Sequence, residues 1–123
     1  MSKKVLIVED DEDLAKNLKL LVESEGYAAE LARNGKVALE CLQSTDLLPD
    51  LILLDLMMPV IDGFKFREEQ EKCANIALIP VVIMTAGGNI ESSKIRLGAK
   101  AYVTKPLDAD AVLSAIRTYT THF

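Results

Sequence analysis

Side chains able to do chemistry stand where the apolar runs of this sequence stop. Glu9, Asp10 and Asp11 close Val5-Leu6-Ile7-Val8, and Asp55 closes Leu51-Ile52-Leu53-Leu54. Thr85 ends Pro80-Val81-Val82-Ile83-Met84, and Lys105, followed by Pro106, comes just after Ala101-Tyr102-Val103. Singly, each is ordinary: an Asp after a strand is usually a cap or turn residue, and a lone Lys is usually a solvated charge. Brought to one rim, they make a different object. Carboxylates gathered without a cation repel each other and raise one another's pKa, so such a cluster costs stability unless something positive fills it. Oxygen ligands with no His or Cys among them select a hard cation, Mg²⁺ or alternatively Mn²⁺. Mg²⁺ is commonly held by one or two carboxylates and retains waters that a phosphate oxygen can replace. With the Lys105 ammonium and the Thr85 hydroxyl, a metal and a free carboxylate would form a clamp for a phosphoryl group.

No nucleotide-binding signature accompanies the clamp. There is no GxxxxGK[ST] loop, and Gly87-Gly88 matches no dinucleotide fingerprint. The phosphoryl group should therefore not be drawn directly from a nucleotide. A carboxylate that attacks phosphorus becomes an acyl phosphate. Asp55, isolated from other acids and at the tip of the most central-looking strand, is the best nucleophile. Glu9 and Asp10 are better suited to hold metal, and Asp11 either joins the chemistry or caps the first helix. Other chemistries lack their residues. The single histidine, His122, is penultimate, and Cys41 and Cys73 lie far apart with no CxxC spacing. A His-rich zinc site and a catalytic triad are both excluded on that basis.

The chain must fold so as to position these residues. Its 123 residues, 50% hydrophobic and 27% charged, suit one globular domain with an aliphatic core and no need of a disulfide. A net charge of -5 argues against direct binding to nucleic acid or an anionic membrane. No apolar run approaches the length that spans a bilayer, and the start lacks a signal-peptide core, so a cytoplasmic location is expected.

Continuous β-branched and aliphatic runs at 5–8, 51–54 and 80–84 read as strands buried on both faces. Tyr27–Ala32 and 101–103 read as shorter strands. Between them come helices: one capped by Asp13 with Leu14, Leu18, Leu21 and Val22 inward and Gly26 as its stop, and one of Val37, Ala38, Leu39 and Leu42 after an Asn34-Gly35 turn. Another spans Phe64 to Cys73 after a loop containing Pro59 and Asp62-Gly63. A weak helix around Ile90 to Leu97 follows the Gly87-Gly88 loop. The last is capped by Asp108, with Val112, Leu113, Ile116 and Tyr119 inward. The order βαβαβαβαβα predicts a parallel sheet covered on both faces. Its functional crevice should lie at the carboxyl ends of the strands, at a switch in strand order.

These residues together resemble the receiver domain of bacterial two-component response regulators, of the single-domain chemotaxis-protein type. The matching segments are Val5-Leu6-Ile7-Val8-Glu9-Asp10, Asp50 to Pro59 with Asp62-Gly63, Val82-Ile83-Met84-Thr85-Ala86, Gly98-Ala99 and Tyr102-Val103-Thr104-Lys105-Pro106. They run along essentially the whole chain, so residues 1–123 read as one receiver domain. The resemblance implies a flavodoxin-like doubly wound fold: three αβα layers around a five-stranded parallel sheet of order 2-1-3-4-5. It makes Asp55 the acceptor of a phosphoryl group from a histidine kinase phosphohistidine. Asp10, Asp55 and the Met57 backbone carbonyl become ligands of Mg²⁺, with Glu9 acting through water. Thr85 and Tyr102 become switch residues, and Lys105 the conserved-type lysine before a cis proline.

Phosphorylation would then remodel the face made by the fourth predicted helix, the fifth strand and the last helix, to control a downstream protein or an attached output domain. A histidine kinase or phosphotransfer protein is the implied donor, and the chain a monomer or weak homodimer. Such a protein is no enzyme beyond its own phosphoryl transfer. Slow self-dephosphorylation is expected, since Met57 and Gly87 offer no polar group to position water. The stretch from Thr85 to Lys105 reads shorter than in the proteins it resembles, which bears on the output face. Two alternatives remain at this level. One is a pseudo-receiver that binds partners without phosphorylation. The other is a small phosphohydrolase with an Asp nucleophile, disfavoured because Met57 stands where its second acid is needed.

Overall fold

The computed structural model describes residues 3–57, 60–86 and 98–120. Strands β1 (Lys4–Val8), β2 (Ala28–Ala32), β3 (Leu51–Asp55), β4 (Val81–Thr85) and β5 (Ala101–Thr104) form one sheet of order β2-β1-β3-β4-β5. All four pairings are parallel. Apart from Lys4 at the start of β1, Asp55 at the end of β3 and Thr85 at the end of β4, these three strands are apolar because both their faces are covered. β2, Ala28-Ala29-Glu30-Leu31-Ala32, lies at an edge and is more open, its Glu30 paired with Lys4 of β1 at 3.5 Å.

Side chains alternate across this sheet into two cores. Leu6, Val8, Ile52, Leu54 and Ile83 meet α2 (Gly35–Ser44) and α3 (Gly63–Lys72) on one face. Val5, Ile7, Leu51, Leu53, Val82 and Met84 meet α1 (Glu12–Ser24) and the terminal helix α4 (Ala109–Thr120) on the other. The strand order therefore reverses beside β1, and the carboxyl ends of β1 and β3 face the resulting crevice.

Local chemistry moves several predicted boundaries. Of the two acids read as caps of the first helix, Asp11 takes the role and Asp13 does not: the Asp11 carboxylate accepts from the backbone N–H groups of Asp13 and Leu14, so Asp13 falls within the first turn. Asp62 is a cap rather than a loop residue, accepting from Lys65 N, and Gly63 opens α3. A side chain on Gly63 would have its Cβ 3.0 Å from Leu56 Cα, and one on Gly35 would meet Ile61 O at 2.9 Å. Only glycine lets α2 and α3 start so close to the chain that leaves β3. In α4, Val112, Leu113 and Ile116 are buried as expected. Thr120 shares that face, while Tyr119 is only partly covered. The predicted Gly87-Gly88 loop and Ile90–Leu97 helix, with Pro59 and His122, lie outside the described residues.

Candidate functional site

The carboxyl ends of four strands converge at the crevice. Glu9 and Asp10 follow β1, Asp55 ends β3, Thr85 ends β4, and Lys105 follows β5. Backbone bonds fix the elements that carry them: Glu9 N donates to Ala32 O at 3.0 Å, Leu56 N to Met84 O at 3.0 Å, and Lys105 N to Thr85 O at 2.7 Å. The Lys105-Pro106 peptide is cis.

One carboxylate oxygen each from Glu9, Asp10 and Asp55 lie within 4.8 Å of one another. Glu9 and Asp55 are buried, at 2% and 3% exposure, and Asp10 is open to solvent. The Lys105 Nζ stands 2.9 Å from Glu9 Oε1 and 3.4 Å from Asp55 Oδ1. Two backbone N–H groups assist. Asp11 N donates to Glu9 Oε2 at 3.2 Å, and Met57 N to Asp55 Oδ1 at 3.3 Å.

Three carboxyls against one ammonium is an unbalanced account, and Asp55 records the imbalance. Burial, then the hydrogen-bonded Glu9 carboxyl and its charge, raise the Asp55 pKa to about 7, against partial relief from Lys105 and the Met57 N–H. Burial works against the Lys105 ammonium too. Its hydrogen bond to Glu9 and the charges of Asp55 and Glu9 outweigh that penalty and hold its pKa above the ordinary lysine value. A hard divalent cation fits this site: every donor is oxygen, and added positive charge would relieve the strain on Asp55.

The sequence-derived residues are thus largely united. Glu9, Asp10, Asp55 and Lys105 share one cluster, with Thr85 buried at the neighbouring strand end. Asp11 is diverted, its side chain committed to capping α1. Met57 reaches the site through its amide, while its side chain is 70% exposed. Tyr102 sits on β5 in register with Ile83, packed against the core beneath α2 and α3. The direct Glu9–Lys105 ion pair is the feature that sequence reasoning missed. No spacing rule links residues 96 positions apart.

Fold and site define a doubly wound α/β protein with a cation-ready acidic crevice and a lysine at its switch point. Residues 5–117 match the response regulator receiver domain, and the chain belongs to that family. It is 34% identical to the chemotaxis protein CheY of Halobacterium salinarum, covering 94% of this chain and 95% of that one. It is 33% identical to the polar-differentiation response regulator DivK of Brucella ovis, covering 97% of each. The receiver domain of Francisella response regulator 1452 superposes with a TM-score of 0.86 at 29% identity, over 97% of both chains. Other relatives are longer. The chain spans 56% of the probable transcriptional regulator ycf29 of Porphyra purpurea and 47% of the transcriptional regulator RpaA of Synechocystis. Membership places the chain among phosphorylation-based signalling modules rather than conventional enzymes. No helix among the described residues is long and apolar enough to cross a membrane.

Proposed function

We propose that Asp55 accepts a phosphoryl group from a phosphohistidine of a histidine kinase or phosphotransfer protein, and that the resulting acyl phosphate switches the domain. The observation that carries this reading is the buried Asp55 carboxylate, 3.4 Å from the Lys105 ammonium and clustered with two further carboxylates. In the transfer, an Asp55 Oδ attacks phosphorus as the P–N bond to imidazole breaks, and the imidazole leaves neutral after taking up a proton. Asp10 and Asp55, with the Met57 backbone carbonyl and Glu9 through water, would hold Mg²⁺, or Mn²⁺ in its place. When bound, the ion supplies neutralising charge to the phosphoryl oxygens.

Lys105 holds Asp55 and Glu9 in place beforehand and pairs with the phosphoryl group afterwards. Thr85 donates its hydroxyl to that group, and Tyr102 follows it inward. The surface of β5, α4 and the segment predicted as a helix at 90–97 is thereby reshaped for a downstream protein or output domain. Such a two-state element needs a bias of about 1–3 kcal/mol to be useful. On this reading residues 1–123 act in the cytoplasm as one receiver domain, monomeric or weakly dimeric. They make no direct contact with nucleic acid or membrane, and the domain loses its phosphoryl group slowly.

The test is incubation with acetyl phosphate and Mg²⁺, followed by intact-mass measurement. A gain of one phosphoryl group, abolished by Asp55→Asn, is expected. No gain would instead favour a phosphorylation-independent interaction module. Turnover of generic phosphate esters would point to a phosphohydrolase.

A further inference from the structure

The acidic site continues sideways. Beside Glu9 and Asp10, a crevice of about 260 Å³ runs between the first turn of α1 and the end of β2. Its buried side is apolar, formed by Ala15, Ala32 and the half-buried Leu31. Its exposed side carries Lys16 and Arg33, with Glu12 between the acids and the bases in sequence. Lys16 follows Glu12 by four residues, the spacing at which a Glu–Lys pair commonly forms on a helix. Even so, neither Lys16 nor Arg33 has a hydrogen-bond or ion-pair partner among the described residues. In a chain of net charge -5, two unpartnered cations thus share one small apolar-sided crevice that opens onto the acceptor cluster.

That arrangement selects a ligand chemistry. A short apolar body suits the buried side, a distal anion suits Lys16 and Arg33, and the end beside Glu9 and Asp10 lies next to Asp55. The crevice holds one ring and a charged group, which is small for a drug-sized ligand. We propose that it is a tail subsite for small-molecule phosphodonors: it favours acyl phosphates that carry a second carboxylate over those that carry none. The inference rests on the acceptor reading of Asp55. In the step, an Asp55 Oδ forms a bond to phosphorus while the bond from phosphorus to the bridging acyl oxygen breaks. The electron pair leaves with the acyl carboxylate, and no proton is gained or lost.

The experiment compares two donors on the full chain with Mg²⁺, benzoyl phosphate and 4-carboxybenzoyl phosphate, by intact mass over time. The carboxylated donor should react about threefold to tenfold faster, the range expected of two exposed ion pairs. That ratio should fall toward one in the Lys16→Gln/Arg33→Gln double variant, and likewise in high salt. A ratio near one in the unaltered protein, or a preference that survives in the double variant, overturns the subsite. A second readout needs no transfer. Titration with 4-carboxyphenylphosphonate should shift the NMR amide signals of Leu31, Ala32 and Arg33, and no shift there also overturns it. If neither donor phosphorylates the chain, the acceptor reading falls, and the titration alone decides the crevice.

Discussion

Replacing Asp55 by Asn should make the metal-free protein more stable, although it removes the residue on which the proposed function depends. The Asp55 carboxyl has a pKa near 7 in the folded chain against 3.8 for an ordinary aspartate. A raised acid pKa means that the folded state binds the proton more tightly than the unfolded state. Stability therefore falls as pH rises from about 4 to about 7, and stays low above that. At about 1.4 kcal/mol per pKa unit, the penalty at alkaline pH has an upper value of about 4 kcal/mol. At pH 5 much of it is absent, because Asp55 is protonated in the folded chain.

Asparagine carries no charge, keeps an oxygen for the Met57 N–H and can donate to Glu9, so it should escape this penalty. Urea unfolding in EDTA should show Asp55→Asn about 2–4 kcal/mol more stable than the parent at pH 8.5. For a domain of this size that corresponds to a Tm higher by roughly 8–15 °C. The gap should shrink by more than half at pH 5, as titration of a single group across these pKa values requires. Mg²⁺ should also close it, by stabilising the parent more than the variant. A variant less stable than the parent at pH 8.5, or a gap that ignores pH, would refute the electrostatic account of the site.

Three further outcomes follow from particular contacts. A proton on Asp55 competes with the cation, so Mg²⁺ affinity measured by calorimetry should weaken about tenfold from pH 8 to pH 6; a pH-independent affinity would mean Asp55 is not a ligand. Val60 has a φ of 72°, a left-handed conformation that β-branched residues rarely adopt. Val60→Asn should accordingly raise stability by about 1 kcal/mol in urea unfolding, and a loss would show that the strain is not there. Gln70 is fully buried in α3, accepting from Arg67 Nη1 at 2.5 Å and donating to Ile76 O at 2.8 Å and Ile79 O at 3.1 Å. Gln70→Leu, though apolar, should cost about 2 kcal/mol by leaving these groups unsatisfied; a neutral result would contradict that network.

How much of this was legible depended on how local the signal was. The three central strands were read from short continuous apolar runs, because strands covered on both faces have no polar side to show. The strand order was not in those runs and came only through resemblance, since nothing in Val5–Val8 states whether β2 or β3 lies beside it. Caps were legible as a residue type more than as a position: Asp11 and Asp13 were both candidates for α1, and the backbone's entry into the helix gives the role to Asp11. Helix α3 was the least transparent. Its charged sequence hides a buried face that includes Arg67 and Gln70, residues that composition assigns to solvent. Gln70 is satisfied there by carbonyls of the following loop, and Arg67 in turn donates to Gln70, partners that no pattern within the helix announces.

The site itself was legible because its logic is electrostatic rather than sequential. Each acid follows a short apolar run that reads as a buried strand, and parallel strands deliver the acids at their ends to one rim. What remained hidden was how they divide the work. Glu9 and Asp55 are both buried, yet Lys105 lies closer to Glu9, at 2.9 Å against 3.4 Å. The ammonium thereby holds Glu9 and leaves Asp55 the less compensated carboxylate. Incoming positive charge, or chemistry that turns Asp55 into an acyl phosphate, relieves that residue in particular. The instability stored at Asp55 and the reactivity proposed for it thus have one cause, and a substitution that raises stability by neutralising Asp55 must remove the acceptor as well.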